Sequence, residues 1–101
     1  MYIYNVTCKV SWEIREKWLQ WMKETHIPEV LATGCFSGAR MYRLLDIDEA
    51  EGPTYIIQYS FLSLEKFRTY ETDFAPGLRN ELTRKWGHAF IAFRTLMQEV
   101  E

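Results

Sequence analysis

The stretch Tyr2-Ile3-Tyr4-Asn5-Val6-Thr7-Cys8-Lys9-Val10-Ser11 decides the fold, because the hydrophobic period changes where it ends. Up to Val10 the period is two: Tyr4, Val6, Cys8 and Val10 fall on one side and Ile3, Asn5, Thr7 and Lys9 on the other, as in a half-buried strand. After Ser11 the period is helical. Ile14, Trp18, Trp21, Met22 and Thr25 form one stripe, with Glu13, Glu16, Gln20 and Lys23 opposite. At about 100° per residue, His26 lies beside Met22 and Leu19 at the edge of that stripe, where it can face a cleft or water. Pro28 biases Ile27 away from helical angles, and Gly34 suits a left-handed cap. The helix is therefore expected to break near His26, resume for a short turn and stop at Gly34.

Downstream the same two periods recur. Cys35 to Leu45 reads as a second strand and Thr54 to Leu62 as a third, in which Tyr55, Ile57, Tyr59 and Phe61 alternate with Ile56, Gln58 and Ser60. The acidic segment Asp46-Ile47-Asp48-Glu49-Ala50-Glu51-Gly52-Pro53 joins them. Ser63 is a good N-cap for a second helix carrying Leu64, Phe67, Glu71 and Phe74 along one side. Ala75-Pro76-Gly77 reads as a break, Leu78, Leu82 and Trp86 continue the helix, and Gly87 ends it. His88 to Met97 is the fourth strand, and Gln98 to Glu101 is a polar tail.

Strand, helix, strand, strand, helix, strand is the split βαβ order of the α+β ferredoxin-like fold, βαββαβ with a four-stranded antiparallel sheet. A chain of 101 residues supports one such domain, residues 1–101, with a core small enough that association adds needed burial. Two helices cover one face of the sheet. The other face is apolar whichever parity points outward, carrying Tyr55, Ile57, Tyr59 and Phe61 or Ile56 and Leu62. Sheet-to-sheet packing in a homodimer is the economical cover, and a monomer with an adhesive face is the alternative.

Composition bounds the rest. Hydrophobic residues make up 48% and charged residues 26%, spread along the chain, which is a globular pattern without any apolar run approaching a membrane span. The start lacks a basic n-region and an apolar h-region, so a cytoplasmic location is expected. Cys8 and Cys35 form no C-x-x-C and read as buried thiols. A net charge of −2 gives nucleic acid or anionic lipid little attraction.

The run His26-Ile27-Pro28-Glu29-Val30, followed by Ala32-Thr33-Gly34 and Phe36, with the element order and length, resembles the dimeric α+β barrel superfamily. That group includes muconolactone isomerases, EthD-like proteins and antibiotic-biosynthesis-type monooxygenases. Within it the chain is most similar to a family of small bacterial proteins that begin with a Tyr-Asn-Val strand, here Tyr4-Asn5-Val6, and end with a Phe-Arg-Thr strand, here Phe93-Arg94-Thr95. That likeness spans nearly the whole chain and carries no established activity. What the superfamily implies is a homodimer with a small-molecule cavity between helices and sheet in each subunit.

His26 is the candidate catalytic residue, since an imidazole on a cavity rim can serve as general acid or base. The competing reading is a helix-end histidine bonded to a carbonyl. Asn5 is a candidate ligand-binding residue by resemblance, because some cofactor-independent or haem-degrading monooxygenases of this superfamily use an asparagine on the first strand. The haem enzymes also need a histidine on the second long helix, and Ser63 to Trp86 has none. No cofactor is therefore implied. Arg40 and Arg94, with Arg43, lie on strands where a covered guanidinium needs a carboxylate, from a ligand or from an ion pair such as one to Glu71 or Glu99. Tyr59 is a further ligand-binding candidate, among Tyr4, Tyr42 and Tyr55, whose hydroxyls could line a pocket or whose rings could be core. His88 has no nameable partner. The acidic segment lacks the spacing and terminal glutamate of a calcium loop, so no metal is implied.

Three function classes follow. The first is a small-molecule-binding enzyme of the dimeric barrel type, an isomerase or cofactor-independent monooxygenase, using His26 for proton transfer and Asn5 or an arginine to hold substrate. The second is a non-catalytic ligand-binding or interaction module. RNA binding ranks last: the element order matches the RNA-recognition fold, but the third strand lacks the Lys/Arg-Gly start of its signature.

Overall fold

Residues 1–101 are described by a computed structural model. The period-two segment forms β1 (Tyr2–Val10), with the boundaries its alternation predicts. It lies inside the sheet, flanked by β3 (Thr54–Phe61) and β4 (Phe90–Gln98), with β2 (Gly38–Arg43) on the far side of β3, giving the order β2-β3-β1-β4. Every pairing is antiparallel, and the registers Tyr4↔Tyr59, Val6↔Ile57 and Cys8↔Tyr55 put the aromatic row of β3 beside the even positions of β1. This is the ferredoxin-like α+β arrangement. The helices lie over that row, which resolves the parity: Tyr4, Cys8, Val10, Tyr55, Ile57, Tyr59 and Phe61 are buried, while Asn5, Thr7, Gln58 and Ser60 sit on the uncovered face. β2 is shorter than the expected Cys35 to Leu45 because Cys35 and Phe36 turn inward and join the core instead of the sheet.

Both helical regions depart from the expected breaks in the same way. The first runs without interruption from α1 (Arg15–Trp21) through a π-helical turn (Met22–His26) into α2 (Ile27–Ala32). The second runs from α3 (Leu64–Thr69) through a π-helical turn (Tyr70–Phe74) into α4 (Ala75–Trp86). In each case a proline, Pro28 or Pro76, is the second residue after the π turn. Proline inside an α-helix lacks a donor and crowds the carbonyl four residues back. The wider turn, closed by Ile27 N–H donating to the Met22 carbonyl and Ala75 N–H to that of Tyr70, accommodates both problems without a kink into coil.

The π turns also shift the buried stripe. In an α-helix four residues overshoot one turn by about 40°, which is why His26 is expected at the edge of the stripe. With more residues per turn the overshoot is removed. Trp18, Met22, His26 and Val30 then form one buried row. In the second helix Phe67, Tyr70 and Ala75 are buried, and Phe74, expected on the inner side, is 38% exposed. The caps behave as their residues predict: Ser63 Oγ accepts from Lys66 N–H at 3.3 Å, and Gly34 and Gly87 take positive φ of 78° and 57°. Ser11 starts the first helix less directly, its carbonyl accepting from Ile14 N–H at 3.2 Å, and the α-helix begins only at Arg15.

The acidic segment is a folded turn. Arg43 makes a two-bond pair to Glu49 at 2.8 and 3.2 Å, Trp12 Nε1 donates to the Glu49 carbonyl at 2.8 Å, and Asp48 Oδ1 accepts from Ala50 N–H at 2.9 Å. Val10 N–H donates to the Pro53 carbonyl at 3.0 Å, which presses Gly52 against β1. A Cβ at Gly52, where φ is 153°, would overlap the Val10 carbonyl oxygen. Gly52→Ala should therefore lower unfolding stability by about 2–3 kcal/mol, read as a drop in the urea midpoint with unchanged slope. Gly77→Ala, on α4 with open space around its Cβ, should instead be neutral or stabilising by up to about 1 kcal/mol.

Candidate functional site

Where the two π turns face the sheet they enclose a cavity whose polar lining comes from six elements: Tyr4 on β1, His26 and Tyr70 on the two π turns, Tyr59 on β3, Arg79 on α4 and Arg94 on β4. The remaining lining is hydrophobic, including Met22, Ile57, Leu82 and Phe90. Arg94 is exposed as well as lining, so the cavity reaches the surface at β4, one of the two edge strands. The enclosed room is about 20 Å³, enough for one ordered water, so a larger guest requires side chains to move.

His26 is only 6% exposed, and its ring stacks on Trp21 with centroids 5.4 Å apart and planes 26° from parallel. Trp21 is in turn held edge-on by Trp86 at 5.9 Å, with the Lys85 ammonium over both indoles at 5.8 and 5.3 Å. The imidazole is thus fixed by packing rather than by a helix-end carbonyl. Its Nδ1 is buried and has no hydrogen-bond partner. Burial pushes the His26 pKa down to about 4, Glu81 opposing the shift and Arg94 adding to it, so the ring is neutral at pH 7.

The other titratable walls are neutral too. Burial pushes the Cys8 thiol and the Tyr70 hydroxyl up to about 12, and raises that of Tyr59 further, with Tyr70, Cys8 and Tyr4 adding to the effect. Tyr4 sits at the centre of an aromatic group, its ring 5.1 Å from Phe67, 5.9 Å from Tyr70 and 6.0 Å from Tyr59. Its hydroxyl accepts from Arg79 Nη2 at 3.0 Å, the one side-chain hydrogen bond between lining residues. Arg79 Nε is buried without a partner. The protein's ion pairs, Lys9–Glu51, Arg43–Glu49 and Arg68–Glu71, all lie elsewhere, so neither Arg79 nor Arg94 meets a carboxylate.

Of the residues singled out in the sequence, His26, Tyr59 and Arg94 come together here. Asn5 and Arg40 do not join them. They lie across the sheet in the row Arg40↔Gln58↔Asn5, where Gln58 Nε2 donates to Asn5 Oδ1 at 3.2 Å and Asn5 Nδ2 donates to Thr7 Oγ1 at 3.3 Å. Within one protomer Asn5 therefore cannot hold a molecule that His26 touches. Arg43 is committed to Glu49, and Glu71 to Arg68 at 3.2 Å rather than to a strand arginine. Tyr42 points to the uncovered face, and Tyr55 accepts from Arg15 Nε at 2.8 Å. His88 borders a shallow depression with Lys9, Ser11 and Glu51. Arg79 and Tyr70 are not marked by the helical period, because both are aimed by the second π turn. The legible signal was the repeated turn-then-proline spacing, Met22 to Pro28 and Tyr70 to Pro76.

A histidine held neutral by burial makes stability pH-dependent. Its folded pKa lies below the unfolded value of 6.5, so its stabilising effect is complete above that pH and is lost as pH falls toward 4. Across that window the unfolded chain gains roughly 3 kcal/mol relative to the folded one from this residue. His26→Phe should flatten the fall in urea midpoint between pH 6.5 and 4 relative to the parent protein.

The fold has relatives among solved structures. An EthD family protein from Bacillus halodurans superposes with a TM-score of 0.68 at 12% identity, covering 99% of this chain and 100% of its own. A dimeric ferredoxin-like protein from an uncultured marine organism gives 0.70 at 11% identity, covering 100% and 96%. A candidate antibiotic biosynthesis monooxygenase from Deinococcus radiodurans gives 0.61 at 18% identity, covering 100% and 94%. At such identities the likeness is one of fold. No curated protein matches the sequence. Residues 1–100 match the domain of unknown function DUF4286 over essentially the whole length, and the chain therefore belongs to the DUF4286 family.

Proposed function

We propose that this protein is a homodimeric small-molecule-binding barrel in which His26 moves a proton on a ligand held in the helix–sheet cavity, as an isomerase or a cofactor-independent monooxygenase would require. The observation that carries this reading is the buried, uncharged imidazole with a free nitrogen in a largely hydrophobic cavity that also holds two guanidinium groups without carboxylate partners. A neutral imidazole can accept a proton from a carbon acid, and a guanidinium beside it stabilises the oxyanion that develops. A ligand anion next to the ring also raises its pKa from about 4 toward the working pH, where acid–base transfer is most efficient.

Dimerisation through the sheet is supported by the uncovered face. Ile91, Phe93 and Met97 on β4 are 56%, 66% and 40% exposed and share that face with Ile3 of β1 and Tyr42 of β2. A row of large apolar side chains on an open antiparallel sheet is stabilised by a second sheet. The same parity weakens the RNA reading, since the aromatic residues of β1 and β3 point at the helices and offer no stacking platform.

A non-catalytic ligand-binding module is the second reading, favoured by the absence of any group that orients His26 through Nδ1. Deuterium incorporation from D2O into enolisable carbonyl compounds, followed by NMR, separates the two. Catalysis predicts exchange that falls by about a hundredfold or more in His26→Ala while ligand affinity is retained. Binding without exchange in the parent protein would leave the module. Sedimentation should show a dimer, and Phe93→Asp should shift it to monomer at micromolar concentration.

A further inference from the structure

Arg79 is the polar group of the cavity that no sequence motif marks, and the proton-transfer reading asks of it only that a guanidinium lie near the imidazole. Its Nη2 donates to the Tyr4 hydroxyl at 3.0 Å, which fixes the plane of the guanidinium, and its Nε is buried with no partner. A buried donor without an acceptor costs free energy that a ligand oxygen can recover. Arg94 lines the same cavity from β4, is exposed at its mouth, and has no carboxylate partner. Two cations therefore face one small space with no acid in its lining, the Glu81 carboxylate acting on His26 from α4 outside that lining. Everything else around them is aromatic or aliphatic except one imidazole and the Cys8 thiol.

We infer that the cavity, opened beyond its room for one water by movement of the lining side chains, takes a compact organic carboxylate, its apolar body among the Tyr4, Tyr59 and Tyr70 rings and its carboxylate held by Arg79 with Arg94 at the entrance. A guanidinium offers parallel donors that match a carboxylate or phosphate, but the apolar walls favour an anion with a hydrocarbon or aryl body over a bare inorganic one. The Tyr4 hydroxyl acts as a positioning partner. It accepts one Nη2 proton and leaves the Nε donor free for the ligand. The inference names the ligand class of the site proposed above and rests on that site being a binding cavity, though it holds whether or not His26 transfers a proton.

Benzoate, its uncharged counterpart benzamide, and inorganic phosphate serve as probes on the full-length protein. Calorimetric titration gives the affinity, and the His26 ring signals in a proton–carbon NMR spectrum give the location. The expected result is that benzoate binds at least about tenfold more tightly than benzamide and more tightly than phosphate, and shifts the His26 signals. Arg79→Gln and the solvent-exposed Arg94→Gln should each weaken benzoate by about tenfold or more while leaving benzamide unchanged. Arg94→Gln keeps the test decisive if Arg79→Gln does not fold. Equal affinity for benzoate and benzamide, unaltered by either substitution, overturns the carboxylate assignment and leaves the cavity reading standing. Tighter phosphate binding overturns the ligand class. Benzoate that binds without moving the His26 signals, or fails to bind at millimolar concentration, overturns the assignment of this cavity to organic acids, and benzamide shifting those signals then shows that the cavity still binds.

Discussion

Each helical region contains a proline that an α-helix cannot accept without losing a hydrogen bond and crowding a carbonyl, and the rest of the architecture follows from how that is absorbed. Both regions respond with a single π-helical turn immediately before the proline, Met22–His26 and Tyr70–Phe74. The helices stay continuous and can still cover the sheet from end to end. The cost is a change in the angular advance per residue at two matched places. His26 and Tyr70 are swung inward there and Phe74 outward, and the space between the two turns and the sheet becomes the cavity.

The electrostatics of that space follow from its depth. Burial disfavours the charged form of every group, and those that can shed charge respond, His26 by releasing a proton and Cys8, Tyr59 and Tyr70 by retaining one, so all four are neutral. Arginine cannot respond in that way. Arg79 and Arg94 remain cationic, one tied to a phenol and the other at the mouth, so the lining carries two cations and no acid although the whole chain carries a net charge of −2. The surplus acid is spent elsewhere, on the turn at Glu49 and Glu51 that fastens Arg43 and Lys9 and closes the end of β1.

The sheet divides the remaining roles. Its helix-facing side carries the aromatic rows that build the core and the cavity. Its other side carries the polar row of Arg40, Gln58 and Asn5 beside the exposed Ile91, Phe93 and Met97. Asn5 and His26, which resemblance to the monooxygenases would place around one molecule, are separated by the thickness of the sheet. The oxygenase and isomerase readings therefore draw on the arginines of the helix side for substrate binding.

Alternation in Tyr2–Val10 and Thr54–Phe61, the serine cap at Ser63 and the glycines at 34 and 87 suffice in the sequence for element order, the extent of β1 and β3 and the places where the two helical regions stop, but not for the shorter β2. These are local matters, set by side-chain period and backbone dihedral preference, and a chain displays them directly. His26, Tyr59 and Arg94 could be marked as candidates by residue type. Their meeting could not, because it depends on which face of the sheet the helices cover and on the angular slip of a π turn. Arg79 was hidden for the same reason, one residue past Leu78 on a helix whose register the preceding turn had altered. The ferredoxin-like order of elements can thus be read from the chain alone. Only the tertiary structure decided the site, since local propensity carries no information on whether a proline is absorbed by breaking a helix or by widening one turn.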